Sequence, residues 1–93
     1  MGHGIKAGVA TGDEVQKIFA YAKQKGFALP AVNVTSTSTV NAVMEAASMM
    51  NSPAIIQFSN GGSEYYAGKG LMNDDFSASI AGAVSGARHI HAL

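Results

Sequence analysis

Apolar residues recur along this chain in two alternating rhythms. Val15, Ile18, Phe19 and Ala22 fall at i, i+3, i+4 and i+7, which is one stripe of a helix. Thr11-Gly12-Asp13-Glu14 precedes the stripe in the form of a capping box, the Thr11 hydroxyl expected to serve an amide near Glu14 and the Glu14 carboxylate to reach back. Lys23 and Lys25 stand where the negative helix end favours cations, and Gly26 supplies a left-handed residue to close it. Phe27-Ala28-Leu29-Pro30-Ala31-Val32-Asn33-Val34 is apolar almost throughout rather than alternating, which suits a strand covered on both faces. Pro30 cannot donate to a ladder, so either the regular strand begins near Ala31 or that flank lacks a partner. Five hydroxyl residues follow at 35–39, of which Thr37 is expected to cap a second helix. Val40, Val43, Met44, Ala47 and Met50 carry that helix to its end before Pro53, and Ala54-Ile55-Ile56-Gln57-Phe58 reads as a second short, buried strand.

Helix, strand, helix, strand predicts an α/β fold with one right-handed, parallel βαβ unit, whose ligand edge lies at the C-terminal ends of the strands. Asn33 and Ser59 hold corresponding places at the ends of the two strands and are expected to be neighbours on one rim. Residues 61–75 show no convincing period and read as a long loop. From about Ser77 onward Ile80, Ala83, Val84 and Ala87 mark a third helix, with Asp74 and Asp75 near its positive end. Gly82 and Gly86 give that helix a small-residue face that another element can approach closely, and its pattern still runs at Leu93.

Composition narrows the partners. Ninety-three residues make one small domain at most. Six Lys and Arg balance six Asp and Glu, and the cations are scattered, so no basic patch exists for nucleic acid. Hydrophobic residues reach 47% while charged residues are only 13%, well below the usual quarter, so much of the surface is expected to be covered by a partner or a further part of the fold. The absence of cysteine excludes disulfides and thiolate metal sites. No apolar run approaches a membrane span, and Met1-Gly2-His3-Gly4-Ile5-Lys6 lacks the basic start and apolar run of a signal peptide, so the expected location is the cytoplasm. The sequon Asn33-Val34-Thr35 reads as accidental in a strand.

Candidate chemistry gathers where the second strand ends. In Gln57-Phe58-Ser59-Asn60-Gly61-Gly62 the glycines let amides meet an anion while Ser59 adds a hydroxyl, so the stretch suits a phosphate; equally, it suits a turn that merely leaves the strand. Asn33 is a polar amide in an apolar strand and must be hydrogen-bonded, either to a ligand or to a neighbouring loop. Ala67-Gly68-Lys69-Gly70 fails as a P-loop, because Ser63 stands where glycine is needed and Gly70 where Ser or Thr is needed. His89 and His91 lie about 200° apart on the third helix, cannot share a metal and read as packing or surface residues. Asp74 and Asp75 read as helix-end charges, Tyr65 and Tyr66 as contact residues. Gly82-x-x-x-Gly86, followed at once by Arg88 and His89, reads as close packing in a soluble fold rather than a membrane helix pair.

Taken together, Thr11-Gly12-Asp13-Glu14-Val15-Gln16-Lys17, Phe27-Ala28-Leu29-Pro30-Ala31-Val32-Asn33, Asn41-Ala42-Val43, Ser52-Pro53-Ala54-Ile55-Ile56-Gln57-Phe58-Ser59-Asn60-Gly61-Gly62 and Ala67-Gly68-Lys69-Gly70 resemble the N-terminal part of the class II, zinc-dependent fructose-bisphosphate aldolases. The resemblance runs from about residue 8 onward and implies the start of a TIM (β/α)8 barrel: the leading helix and the first two βα units, incomplete as given. Residues 1–93 would then be the N-terminal segment of a single barrel domain. The family cleaves fructose 1,6-bisphosphate to dihydroxyacetone phosphate and glyceraldehyde 3-phosphate, with zinc stabilising the enediolate.

By the resemblance, Ser59 and Asn33 are substrate-binding and no catalytic or metal residue falls in this segment. The Asp-His pair and the remaining zinc ligands are expected beyond it, and His89 and His91 precede them on a helix. The implied partners are a sugar phosphate, the remainder of the barrel and, when complete, a second copy in a homodimer. The chain alone is expected to be inactive and poorly folded or self-associated. The alternative is a non-catalytic phosphate-binding or assembly module derived from the same fold.

Overall fold

A computed structural model describes residues 8–93; residues 1–6, on which the expectation about a signal peptide rests, lie outside the described residues. Helix α1 spans Asp13–Lys25, strand β1 Ala31–Asn33, helix α2 Thr37–Met50, strand β2 Ile55–Gln57, helix α3 Asn60–Ala67 and helix α4 Ser77–Ala92, the last preceded by a 3-10 turn at Asp74–Phe76. The two strands pair in parallel, with Ala31 opposite Ile55, Val32 opposite Ile56 and Asn33 opposite Gln57. The ladder extends one bond at each end, Ile55 N–H donating to the Pro30 carbonyl at 2.8 Å and Val34 N–H to that of Gln57 at 3.0 Å. Pro30 thus joins the sheet through its acceptor alone, and regular structure starts at Ala31 as expected.

Gly26 ends α1 in the left-handed conformation at φ 73°, its amide returning to the Ala22 carbonyl. The start of α1 differs from the expected box. Gly12 is the cap, no side chain caps it, and the Glu14 amide is served by the Thr11 carbonyl at 3.1 Å. Gly12 has φ 53°, a conformation open to glycine, and this places the Thr11 hydroxyl one residue too early to act. The box lies at α2 instead, with Ser36 rather than Thr37 as cap. Ser36 Oγ accepts from the Thr39 amide at 3.2 Å while Thr39 Oγ1 accepts from the Ser36 amide at 3.0 Å. A threonine at the third helical position replaces the Glu or Gln of the usual pattern.

The stretch 61–75 is not one long loop. Its first half is α3, an eight-residue helix. The missed signal is physical: the residues that α3 buries are Gly62, against the end of β1, and Ser63, against Gly82 of α4, so it carries no apolar stripe. The buried residues of α4 are equally small, Ala78, Ser79, Gly82 and Gly86. A Cβ at Gly82 would fall on the Ser63 carbonyl, 2.6 Å from its carbon, and one at Gly86 would enter the Phe58 ring, 2.7 Å from Cε1. The small-residue face of Gly82 and Gly86 is thus the surface on which α3 and Phe58 rest. Phe58 is braced on its other side by Tyr66, the rings edge to face with centroids 5.7 Å apart.

Val34 and Val40 are the large residues wholly removed from solvent. The sheet itself is covered on one face only. Val32 and Ile56 are half-buried, whereas Ala31, Asn33, Ile55 and Gln57 on the opposite face are exposed, so the expectation of strands covered on both faces is not met by the elements present. No described element packs broadly on α1, and Phe19 of its stripe is 48% exposed.

Candidate functional site

Ser59 stands where β2 hands over to α3. Its extended backbone, at φ −75° and ψ 164°, makes it the N-cap of that helix. Ser59 Oγ accepts from the Gly62 amide at 2.9 Å and the Ser59 carbonyl accepts from the Ser63 amide at 2.9 Å. The amide of Gly62, expected to meet an anion, is therefore spent on the serine. The hydroxyl itself gains a defined direction: it has one proton and two lone pairs, one lone pair faces the helix, and the proton makes no hydrogen bond to another described residue. An exposed serine oxygen that already accepts from a helix N-terminus is set to donate to an incoming oxygen atom.

Three contacts hold Ser59 in place. Phe58, the preceding residue, is wedged between Gly86 and Tyr66. Gly62 lies beneath the hydroxyl, and Val34 with Thr35 crosses behind Gly62 at the end of β1. Asn33 is the last residue of β1 and is exposed, with no hydrogen bond from its side chain to the described residues. The register puts Asn33 level with Gln57, so Ser59 lies two residues further along, on the order of 8 Å away by strand geometry. Both residues sit at the same end of the sheet, at which strand side chains two apart share a face.

The remaining candidates go elsewhere. His89 Nε2 lies 3.0 Å from Asn41 Oδ1 and ties α4 to α2, while His91 is exposed near the end of α4. Asp74 and Asp75 occupy the 3-10 turn before α4, as helix-end charges should. Tyr66 braces Phe58 and Tyr65 is exposed. Among the described residues no group of three His, Cys, Asp or Glu side chains could hold a metal ion, and no helix is long and apolar enough to cross a membrane.

No sequence pattern marks the hydrogen-bond network around Glu64. Glu64 accepts from Lys69 Nζ at 2.9 Å and from Asn73 Nδ2 at 3.0 Å, and Asn73 Oδ1 accepts from the Ser79 amide at 3.0 Å. The carboxylate of α3 thus holds residues 68–73 against the first turn of α4. A helix had to be recognised at 60–67 before Glu64 and Asn73 could be paired.

Residues 13–93 match the family model described as fructose-bisphosphate aldolase class-II. The chain belongs to the class II fructose-bisphosphate aldolase family. It is 57% identical over 89 residues to a fructose-bisphosphate aldolase of Campylobacter jejuni subsp. jejuni serotype O:2, covering 96% of this chain and 24% of that protein. To the class 2 fructose-bisphosphate aldolase of Escherichia coli (strain K12) it is 52% identical over 90 residues, with 96% and 25% covered. The crystal structure of the Campylobacter jejuni aldolase superposes with a TM-score of 0.86 at 57% identity, over 96% of this chain and 24% of that one. This member of the aldolase family therefore spans about a quarter of the length of the curated relatives it matches.

Proposed function

We propose that this chain forms the N-terminal segment of a single (β/α)8 barrel domain in a class II fructose-bisphosphate aldolase, which cleaves fructose 1,6-bisphosphate to dihydroxyacetone phosphate and glyceraldehyde 3-phosphate. Its part is one wall of the substrate pocket. In such a barrel the ligand sits at the C-terminal ends of the strands and the opposite faces of the strands divide between interior and helices. Two features favour this reading: α2 flanks one face of the sheet across an apolar groove, and the other face carries Ala31, Asn33, Ile55 and Gln57.

The observation that carries the proposal is the Ser59 hydroxyl, held by the Gly62 amide at the end of β2 with its proton free of the described residues. In this reading it donates to a substrate oxygen, most simply one on a phosphate of the sugar, and Asn33 adds an amide to the same rim. The described residues do not fit the zinc that the family resemblance implies, because they contain no ligand cluster. Zinc binding and the proton transfer of the cleavage belong, on this proposal, to residues of the complete barrel outside this segment. The same reading gives the complete enzyme as a cytoplasmic homodimer.

The test replaces the matching stretch of the full-length Campylobacter jejuni aldolase with this chain and introduces Ser59→Ala. The expected result is an active hybrid whose serine variant has a KM for fructose 1,6-bisphosphate raised about tenfold or more, as for loss of a hydrogen bond to a charged group, with zinc content unchanged. Kinetics identical to the unsubstituted hybrid would remove Ser59 from the site. The 93-residue chain alone is expected to show no cleavage.

A further inference from the structure

Gly62 poses a question that its backbone does not answer. It lies in the first turn of α3 and is not among the glycines with positive φ, so its conformation is open to any residue. Alanine would also favour the helix by about 1 kcal/mol. What a side chain would lack is room. A Cβ at Gly62 would stand 3.0 Å from Ser59 Oγ, 3.2 Å from the Val34 carbonyl oxygen and 3.5 Å from Thr35 Cγ2. The first is closer than a carbon and an oxygen comfortably approach, and behind the glycine is backbone of β1 that cannot turn aside. The atom free to yield is the serine oxygen.

We infer that Gly62 is a positioning residue for substrate recognition: the missing side chain lets α3 close on the end of β1 and fixes the Ser59 hydroxyl where its proton points to the ligand. The inference rests on the proposed role of Ser59. The Gly62 amide supplies the hydrogen bond that orients Oγ, and the bare Cα supplies the room in which Oγ sits. A methyl at this point displaces Ser59 Oγ, straining the 2.9 Å bond, or shifts α3 slightly away from the Val34 carbonyl. Either shift re-aims the hydroxyl by a few tenths of an ångström, and a positioned group responds to displacements of this order.

The experiment is a cycle of Ser59→Ala, Gly62→Ala and the double variant in the hybrid full-length aldolase, read as KM and kcat for fructose 1,6-bisphosphate together with thermal unfolding. Gly62→Ala is expected to raise KM about tenfold, as loss of the oriented hydrogen bond does, with a smaller change in kcat. The double variant is expected to match Ser59→Ala alone within about twofold, because the hydroxyl that Gly62 places is then absent. Multiplied losses, or a Gly62→Ala enzyme with unchanged KM, overturn the inference. If Gly62→Ala does not fold, recovery of folded protein in the double variant supports the collision with Ser59 Oγ, and no recovery overturns it in favour of the Val34 carbonyl. The outcomes separate the two readings. Unchanged kinetics in Ser59→Ala remove both, whereas a weakened Ser59→Ala beside a normal Gly62→Ala removes only the role of Gly62.

Discussion

The two ends of the molecule bury surface in opposite ways. Helices α3 and α4 meet through small residues, so backbone approaches backbone and hardly any apolar side chain lies between them. The sheet and α1 carry the larger apolar residues, yet Phe19, Phe27 and Ile55 stay exposed, and an apolar groove of about 620 Å³ opens between β1 and α2, lined by Val32, Val43 and Met50 among others. The first contact is closed within the segment, although Phe76, Ile80 and Val84 stay exposed outside it. The second has the residues of a core without the elements that close it. Contact in the first is made by fit, since close-packed interfaces lose dispersion with every gap; in the second it waits on burial of area. The proposed binding residue stands on the boundary, with Phe58 anchored in the closed half and the strand before it in the open one.

The largest effect is expected where the closed half is tightest. Gly82→Ala puts a methyl on the Ser63 carbonyl, which belongs to helical backbone and cannot rotate away. The helices must part, and overpacking of this kind costs about 3 kcal/mol or more. Denaturant unfolding of the hybrid aldolase measures it, with amide exchange in α3 and α4 accelerated together. A variant as stable as the parent would mean that the two helices are not held at this distance, and the contrast between the halves would dissolve.

A smaller effect, dependent on context, belongs to the open half. Ile55 is 39% exposed on the face that α2 does not cover. In the isolated chain Ile55→Ser removes little buried area and should cost less than about 1 kcal/mol, within the range of strand preferences. In the hybrid enzyme, where the proposed barrel encloses that face, the same change should cost about 2 kcal/mol or more through lost burial. Equal costs in the two settings would show that nothing covers the face and would break the barrel reading at its most exposed point. Sedimentation of the isolated chain gives a second readout, since a polar residue on this face should weaken self-association.

The same division explains what the sequence made legible. Large apolar residues at regular spacing announced α1, α2 and β2, and Gly26 announced the end of α1. The start of α4 near Ser77 was also legible, because Ile80 and Val84 keep the helical period even though they remain exposed. Helix α3 was not, because the residues it buries are Gly62 and Ser63 and a hydrophobic rhythm cannot register contact made by backbone. Two features would have found it. A serine three residues before a glycine at a strand end is a cap geometry, and a fifteen-residue unstructured connection is itself improbable in a compact unit. The caps at Thr11 and Thr37 were each displaced by one position, to Gly12 and Ser36, because several residues in a row could cap and only backbone conformation decides among them. At the site, Ser59 was legible as a hydroxyl on the ligand edge, while its orientation depended on the unseen helix.

The finest distinction lies within the closed half, between its surface and its interior. Lys69 and Asn73 both bond Glu64, and a drawing would give the two bonds equal weight at 2.9 and 3.0 Å. Their surroundings differ. The Lys69 side chain is 58% exposed and that of Glu64 only 23%, so water screens the ion pair and competes for the ammonium. Asn73 is half-buried and spans Glu64 and the start of α4, where solvent replaces a lost partner less readily. Lys69→Ala is therefore expected to change stability by no more than about 0.5 kcal/mol, and less as salt is raised. Glu64→Ala removes one partner of Asn73 as well, leaving its bonds to Ser79, and should cost about 1 kcal/mol. Denaturation of both variants at two salt concentrations decides the matter: if Lys69→Ala costs as much as Glu64→Ala, the segment is held at its rim by charge rather than inside by hydrogen bonds, and the close fit of α3 on α4 is not what keeps residues 68–73 in place.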